Sequence, residues 1–280
     1  MDVIDLQTMP YRDAWELQES AHAEVLAGGP ARIFLVEHPP VVTFGRRPGQ
    51  EKNVIATPQL LAARGVDSVM SDRGGDVTFH GPGQLVCYPI IRLAEFKLTV
   101  SGYVHLLENA IVDVLAEYGI ASCADPAAVG VWTVPAGQSP KKGSPKKGTE
   151  SVSGDLDQTG KKGTESFSKR TPSPFPGEQA AKVCAIGVRI RRGVTMHGLA
   201  LNVSTDLDFF NLIVPCGLTG RPVTSLSRQL GEQCPSTADV KKALMRSLIS
   251  RLAMSGDPAS PKDAKNDQHR FSGGPEGRAE

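Results

Sequence analysis

The stretch that decides the fold is RGGDVTFHGPGQLVCYPII, Arg73–Ile91. It opens as a glycine-flexed loop and closes as an apolar run. Gly74, Gly75, Gly81 and Gly83 reach backbone angles closed to other residues and would let a ligand lie against bare backbone. Between them Val77 and Phe79 alternate with Asp76, Thr78 and His80, the period of a short half-buried strand. Leu85–Ile91 reads as a second, buried strand. A strand, a glycine turn carrying a histidine and another strand would form one wall of a pocket. An ordinary glycine-rich hairpin satisfies the same spacing.

Outward from this stretch the chain alternates helices and strands. Tyr11–Leu26 places Trp15, Leu17, Ala21, Val25 and Leu26 at helical intervals, with Gly28 and Gly29 as the stop. Arg32–Glu37 and Val41–Phe44 are strand-like on either side of a His-Pro-Pro break. Thr57 caps a short helix whose first residue is Pro58. A helix from Thr99 or Ser101 to Gly119 carries Val104, Leu107, Ile111, Val114 and Leu115 on one face. Val129–Val134 reads as a strand. Val183–Ile190 and Val194–Val203 read as two strands joined at Arg191-Arg192-Gly193. A last helix, Thr237 to Met254, spaces Val240, Leu244, Leu248 and Leu252 four residues apart.

Between these elements the composition changes sharply. Residues 136–180 are dominated by Gly, Ser, Pro, Thr and Lys, with KKGSP from Lys141 and KKGTES from Lys146 and again from Lys161. Such a segment buries too little apolar surface to offset its ordering entropy, so it is expected to be a disordered insertion. Residues 255–280 are expected to be a disordered tail. Residues 1–135 and 181–254 then form a single domain.

Composition narrows the function. Of 280 residues, 40% are hydrophobic, enough for a sizeable core, and the formal net charge of +1 argues against a nucleic-acid binder. No apolar run reaches the roughly 18 residues of a membrane span, and the N-terminus does not read as a secretory signal. The five cysteines, Cys87, Cys123, Cys184, Cys216 and Cys234, form no CxxC pair. Neither a metal site nor a disulfide framework is suggested, and a reducing cytoplasm fits best.

RGGDVTFHGPGQ followed by Tyr88 closely resembles the signature of the lipoyl(octanoyl) transferase family. WELQE (Trp15–Glu19), VEHPPVVTFGRR (Val36–Arg47), KVCAIGVRIRRGVTMHGLALNV (Lys182–Val203) and VPCGL (Val214–Leu218) resemble further family segments in the family's order. The long insertion is the departure from the pattern. The resemblance implies an α/β (α+β) domain of the biotin/lipoate protein ligase type, with a mixed, largely antiparallel sheet flanked by helices. It implies an acyltransferase that moves octanoate from acyl carrier protein to a lysine of lipoyl domains, those of 2-oxoacid dehydrogenase E2 subunits and of glycine cleavage H protein. No cofactor beyond the carrier's phosphopantetheine is implied.

The resemblance also implies roles. Cys216 would be the acyl-thioester nucleophile and Lys182 the residue that activates it. Arg73, Gly74, Gly75, Asp76, Val77, Thr78, Phe79 and His80 would line the acyl-substrate pocket with Ala185, Ile186, Gly187, Gly198, Leu199 and Ala200. Without the resemblance, Cys216 reads as a packing residue, Lys182 as the start of a strand, His80 as a turn cap and His197 as a structural histidine.

The chemistry is sensible for these residue types. The attacking form of cysteine is the thiolate, a few per cent of a thiol with pKa about 8.5 at neutral pH. Bringing that value to about 7 needs roughly 2 kcal/mol. An ammonium about 4 Å away at an effective dielectric of about 20 contributes on the order of 4 kcal/mol before desolvation. A neutral lysine could instead take the thiol proton directly; the sequence leaves both versions open. The cluster Arg189, Arg191 and Arg192 is expected to help dock an acidic carrier. Two other activities compete: octanoyl exchange between lipoyl domains, and ATP-dependent lipoate or biotin ligation, which needs no cysteine. A relative that only binds the carrier is a third reading.

Overall fold

The computed structural model describes residues 1–125, 128–134, 180–214 and 221–256. In chain order the elements are β1 (Asp2–Thr8), α1 (Tyr11–Leu26), β2 (Arg32–Glu37), β3 (Val41–Phe44), α2 (Pro58–Ala63), β4 (Asp67–Met70), β5 (Thr78–His80) and β6 (Gln84–Ile90). They continue with α3 (Val100–Glu117), β7 (Ser122–Ala124), β8 (Gly130–Thr133), β9 (Lys182–Arg191), β10 (Val194–Asn202), α4 (Leu226–Leu230) and α5 (Thr237–Gly256). The insertion and the tail lie almost wholly outside the described residues. At their edges, Ala180 is buried, and Ser255 and Gly256 still belong to α5.

A seven-stranded sheet runs β1-β2-β6-β10-β9-β8-β7. Its first pair is parallel and the other neighbours are antiparallel. The sheet is therefore mixed and largely antiparallel, as expected. A second sheet, β4-β3-β5, has one parallel and one antiparallel pair.

Side-chain alternation along the strands sorts the core into layers. On one face Leu35, Leu85, Cys87, Cys184, Ile186, Leu199 and Leu201 pack under α3 and α5 through Leu107, Ile111, Val114, Leu244 and Leu248. On the other, Phe34, Val36, Val86, Tyr88, Met196 and Ala200 meet Ala14, Ala21 and Val25 of α1. The small sheet and α2 bury a separate cluster, with Val42, Phe44, Leu61, Val77, Phe79 and Phe210. Each such aliphatic or aromatic side chain, fully buried, contributes about 1.5–3 kcal/mol.

Local chemistry sets several boundaries. Thr57 accepts from Leu60 N–H at 3.2 Å and Thr99 from Gly102 N–H at 3.0 Å, so the caps of α2 and α3 are where the sequence puts them. Arg192 and Gly193, with φ of 53° and 78°, make the tight turn between β9 and β10.

One alternative reading fails. The strands around the signature glycines do not form a hairpin: β5 pairs with β3 in the small sheet, whereas β6 lies between β2 and β10 in the large one. The turn at 81–83 carries the chain between sheets, because the two strands bury their apolar faces in different clusters. Gly75 and Gly83 do adopt left-handed backbone, φ 89° and 77°. Gly74 and Gly81 serve close approach instead. A Cβ at Gly74 would meet Val188 O at 2.8 Å, and one at Gly81 the Phe79 ring at 2.5 Å. The bare backbone is occupied by the chain itself.

Candidate active site

A cavity lies where the small sheet meets the large one. It is lined by Thr78, Gln84, Lys182, Ala185, Ala200, Asn202, Phe210 and Val223. Ala185 and Ala200 face each other across β9 and β10, and their small side chains leave the space open. Gln84 and Asn202 form a polar edge. Gln84 Nε2 donates to Asn202 Oδ1 at 2.8 Å, and Asn202 Nδ2 donates to Thr224 O at 3.0 Å.

Among the described residues lining this cavity Lys182 is the one that is charged, and it is only 7% exposed. Its N–H donates to Pro222 O at 2.8 Å and its carbonyl accepts from Thr224 N–H at 2.9 Å. Its ammonium stands 5.3 Å from the Trp132 ring centroid. Cys216 lies outside the described residues, but the described residues before and after it are anchored. Before it, Val214 N–H donates to Asn53 O at 2.6 Å and Val54 bridges to Ile213. After it, Val223 bridges to Lys182 itself.

The other expected site residues divide. Thr78, Ala185 and Ala200 line the cavity beside Lys182. Val77 and Phe79 turn into the small-sheet core, and Ile186 and Leu199 into the core under α3 and α5, so their side chains face away from it. Alternation along a strand allows nothing else for residues next to inward ones. Gly187 and Gly198 are opposite each other in register. A Cβ at Gly187 would meet Gly74 O at 2.8 Å, and one at Gly198 Cys87 O at 2.1 Å, so both permit packing. Asp76 braces Asn53, accepting from its amide at 3.0 Å. Arg73 is buried, donating to Thr43 O at 2.6 Å and to Gly74 O at 3.1 Å.

His80 sits behind the cavity wall. Nδ1 meets Gln84 Oε1 at 2.7 Å and Nε2 meets Thr43 Oγ1 at 3.3 Å. Burial, with the charges of His38 and Arg73, holds its pKa well below the usual imidazole range. His197 has a left-handed φ of 56° within β10, and its ring meets Trp15, Tyr88 and Asp72 on the α1 side. Its Nε2 lies 2.7 Å from Asp72 Oδ1, while the other Asp72 oxygen accepts from Arg189. Burial pulls the His197 pKa down against this carboxylate. Burial would raise the Asp72 pKa, but His197 and Arg189 outweigh it and leave it lowered.

Arg189 is thus committed to the signature loop. Arg191 and Arg192 sit at the hairpin tip, about 20 Å along the strand from Ala185 at ~3.3 Å per residue. The three arginines do not form one patch at the cavity.

Sequence reasoning passed over Gln84, Asn202, Phe210 and Val223. The two amides had a signal: each is a polar residue beginning or ending an apolar strand at an inward position. Phe210 and Val223 had none, because only the tertiary fold brings them to Lys182.

A lysine-bearing cleft lies between a large mixed sheet and a small one, and comparison with known proteins places this arrangement in the acyl-ligase and acyl-transfer class. Residues 10–249 match the model of the lipoyl protein ligase A/B catalytic domain. The chain is 39% identical over 254 residues to an octanoyltransferase of Bacteroides fragilis, covering 89% of this chain and 96% of the relative. It is also 39% identical over 251 residues to one of Chloroflexus aurantiacus, covering 89% and 92%. Among solved structures, the bipartite lipoate protein ligase of Thermoplasma acidophilum, studied with its E2 lipoyl domain, superposes with a TM-score of 0.59. It is 15% identical, with 90% of this chain and 83% of that one covered. The chain belongs to the lipoyl protein ligase A/B family and is a transferase enzyme. Among its described residues no helix is long and apolar enough to cross a membrane.

Proposed function

We propose that this enzyme transfers an octanoyl group from octanoyl-acyl carrier protein to a lysine of lipoyl domains, of E2 subunits and of glycine cleavage H protein. The group passes through a thioester on Cys216. The Cys216 thiolate attacks the donor carbonyl, the carbon–sulfur bond to phosphopantetheine breaks, and the carrier leaves as a thiol. The acceptor amine then attacks the acyl-enzyme, the bond to Cys216 breaks, and an amide forms. Lys182 assists both steps: in the first it favours the thiolate and gives its proton to the departing carrier sulfur, and in the second, now neutral, it takes the acceptor amine's proton. No cofactor or ATP enters, because the donor thioester is already activated.

The observation that carries this reading is the pairing of Lys182 with residues 222–224, which follow Cys216 closely in the chain. The other cysteines support it. Burial pushes the pKa of Cys184 up to about 12 and also raises those of Cys87, Cys123 and Cys234, so each is turned away from thiolate chemistry. The four cysteines among the described residues are free thiols, which suits a reducing cytoplasm. The small side chains of Ala185 and Ala200 suit a slot for an unbranched acyl tail.

Intact-protein mass after mixing with octanoyl-carrier protein tests the proposal. The native chain should gain one hydroxylamine-labile octanoyl group, and Cys216→Ser should gain none. A Cys216→Ser chain that still octanoylates a lipoyl domain at the native rate would overturn it.

A further inference from the structure

We infer that Arg221 is a positioning residue for the Lys182 amine, acting through the Trp132 ring. This rests on the role proposed for Lys182.

A lysine side chain loses up to about 2 kcal/mol of rotamer freedom when held in one place, so its walls must hold it firmly. Among the described residues two walls are present, and a third residue fixes one of them. Gly130 supplies space: a Cβ there would stand 2.6 Å from Lys182 Cε and 3.3 Å from Nζ, and its φ of 127° disfavours any side chain. Trp132, opposite Lys182 in the pairing of β8 with β9, supplies an aromatic surface within cation–π range of the ammonium. Arg221 fixes that surface, with its guanidinium 3.5 Å from the ring centroid.

The ring is held at two points. Its Nε1–H donates to Ala128 O at 2.9 Å, and Arg221 stacks on it. Arg221 is itself tied down, donating to Asp125 at 2.7 Å, and Asp125 is wholly buried. A planar guanidinium stacks and donates at once, which an ammonium does not. The neighbouring Pro222 carbonyl takes the Lys182 N–H. One short segment thus holds the lysine twice, by its backbone through Pro222 and by its side chain through Arg221 and Trp132. Arg221 touches no reacting atom in this account.

Arg221→Lys tests the inference, because it keeps a cation for Asp125 and removes the flat stack. Displacing the amine by a fraction of an ångström should slow acyl-enzyme formation about tenfold, with KM for octanoyl-carrier protein within about twofold of native. Alkylation of Cys216 by iodoacetamide, read by peptide mass, should slow by a similar factor near neutral pH and recover in alkali, a pattern that simple loss of packing does not give. Lys182→Met provides the benchmark. If it leaves Cys216 alkylation and acylation at native rates, the role proposed for Lys182 fails. If Lys182→Met is impaired and Arg221→Lys is native in all three readouts, this inference alone is overturned. Should Arg221→Lys not fold, the paired change of Asp125→Asn with Arg221→Gln removes both charges together and is read the same way.

Discussion

Two groups of polar side chains adjoin the same face of the large sheet, and they are built for opposite ends. One holds Tyr11, His38, His80 and Tyr88. Its rings pack within 5.3–5.9 Å of one another, with Tyr11 stacked on His80. Each histidine is committed at both nitrogens. His38 Nδ1 lies 2.7 Å from the Met9 carbonyl, which only accepts, so Nδ1 carries the proton and Nε2 takes the Tyr88 hydroxyl hydrogen at 2.8 Å. Burial lowers the His38 pKa to about 4 and holds that of His80 well below its usual range. Near neutral pH the His38 ring is uncharged, and hydrogen bonds occupy both of its nitrogens. The other group, Lys182, Trp132, Arg221 and Asp125, contains no histidine and borders the cavity. The histidines and tyrosines of the first group are bonded to their neighbours and to the backbone, and the proposed chemistry falls to the corner around Lys182.

The largest effect should separate the two groups outright. Lys182→Met is expected to lower octanoyl transfer by about 10³-fold or more while leaving Tm within about 2 °C of native. Steady-state assay and thermal unfolding check this, and near-native transfer would break the comparison. The reverse is expected of His80→Ala. Removing the ring opens a cavity and strands Gln84 Oε1, for a loss of about 2–4 kcal/mol in stability. The folded fraction should still form acyl-enzyme at close to the native rate. Loss of acylation in fully folded protein would instead place this histidine in the mechanism.

The smallest effect, per unit of pH, is graded. An unfolded histidine takes up protons below about pH 6.5, whereas His38 in the folded chain does so only near 4. The unfolded state therefore binds more protons between these values, and stability falls as pH drops through that window. The slope is at most about 1.4 kcal/mol per pH unit for each such histidine. His80, His197 and His22, also shifted down by burial, add in the same sense. Unfolding free energies between pH 7 and 4.5 should show this decline, and His38→Asn should flatten it. An unchanged slope in that variant would mean that His38 is not held neutral.

Much of this molecule is a local property of its sequence. Helical spacing marked α1, α3 and α5, threonine caps marked the starts of α2 and α3, and apolar runs marked β2, β3, β6, β9 and β10. β1 escaped because it is an exposed edge strand with no buried face to impose alternation, and β7 because it has three half-buried residues. Pairing was not legible in the same way. Nothing within Arg73–Ile91 says that β5 joins β3 while β6 joins β2 and β10, since each choice depends on apolar surface supplied by distant segments. The same limit governs the cavity. A motif resemblance reaches residues such as Lys182, Ala185 and Ala200, whose neighbours in the chain announce them. Gln84 meeting Asn202, or Arg221 lying on Trp132, exists only once strands from separate parts of the chain are packed side by side. Periodicity is written residue by residue. Contact between remote residues is decided by which surfaces the folded chain must keep from water.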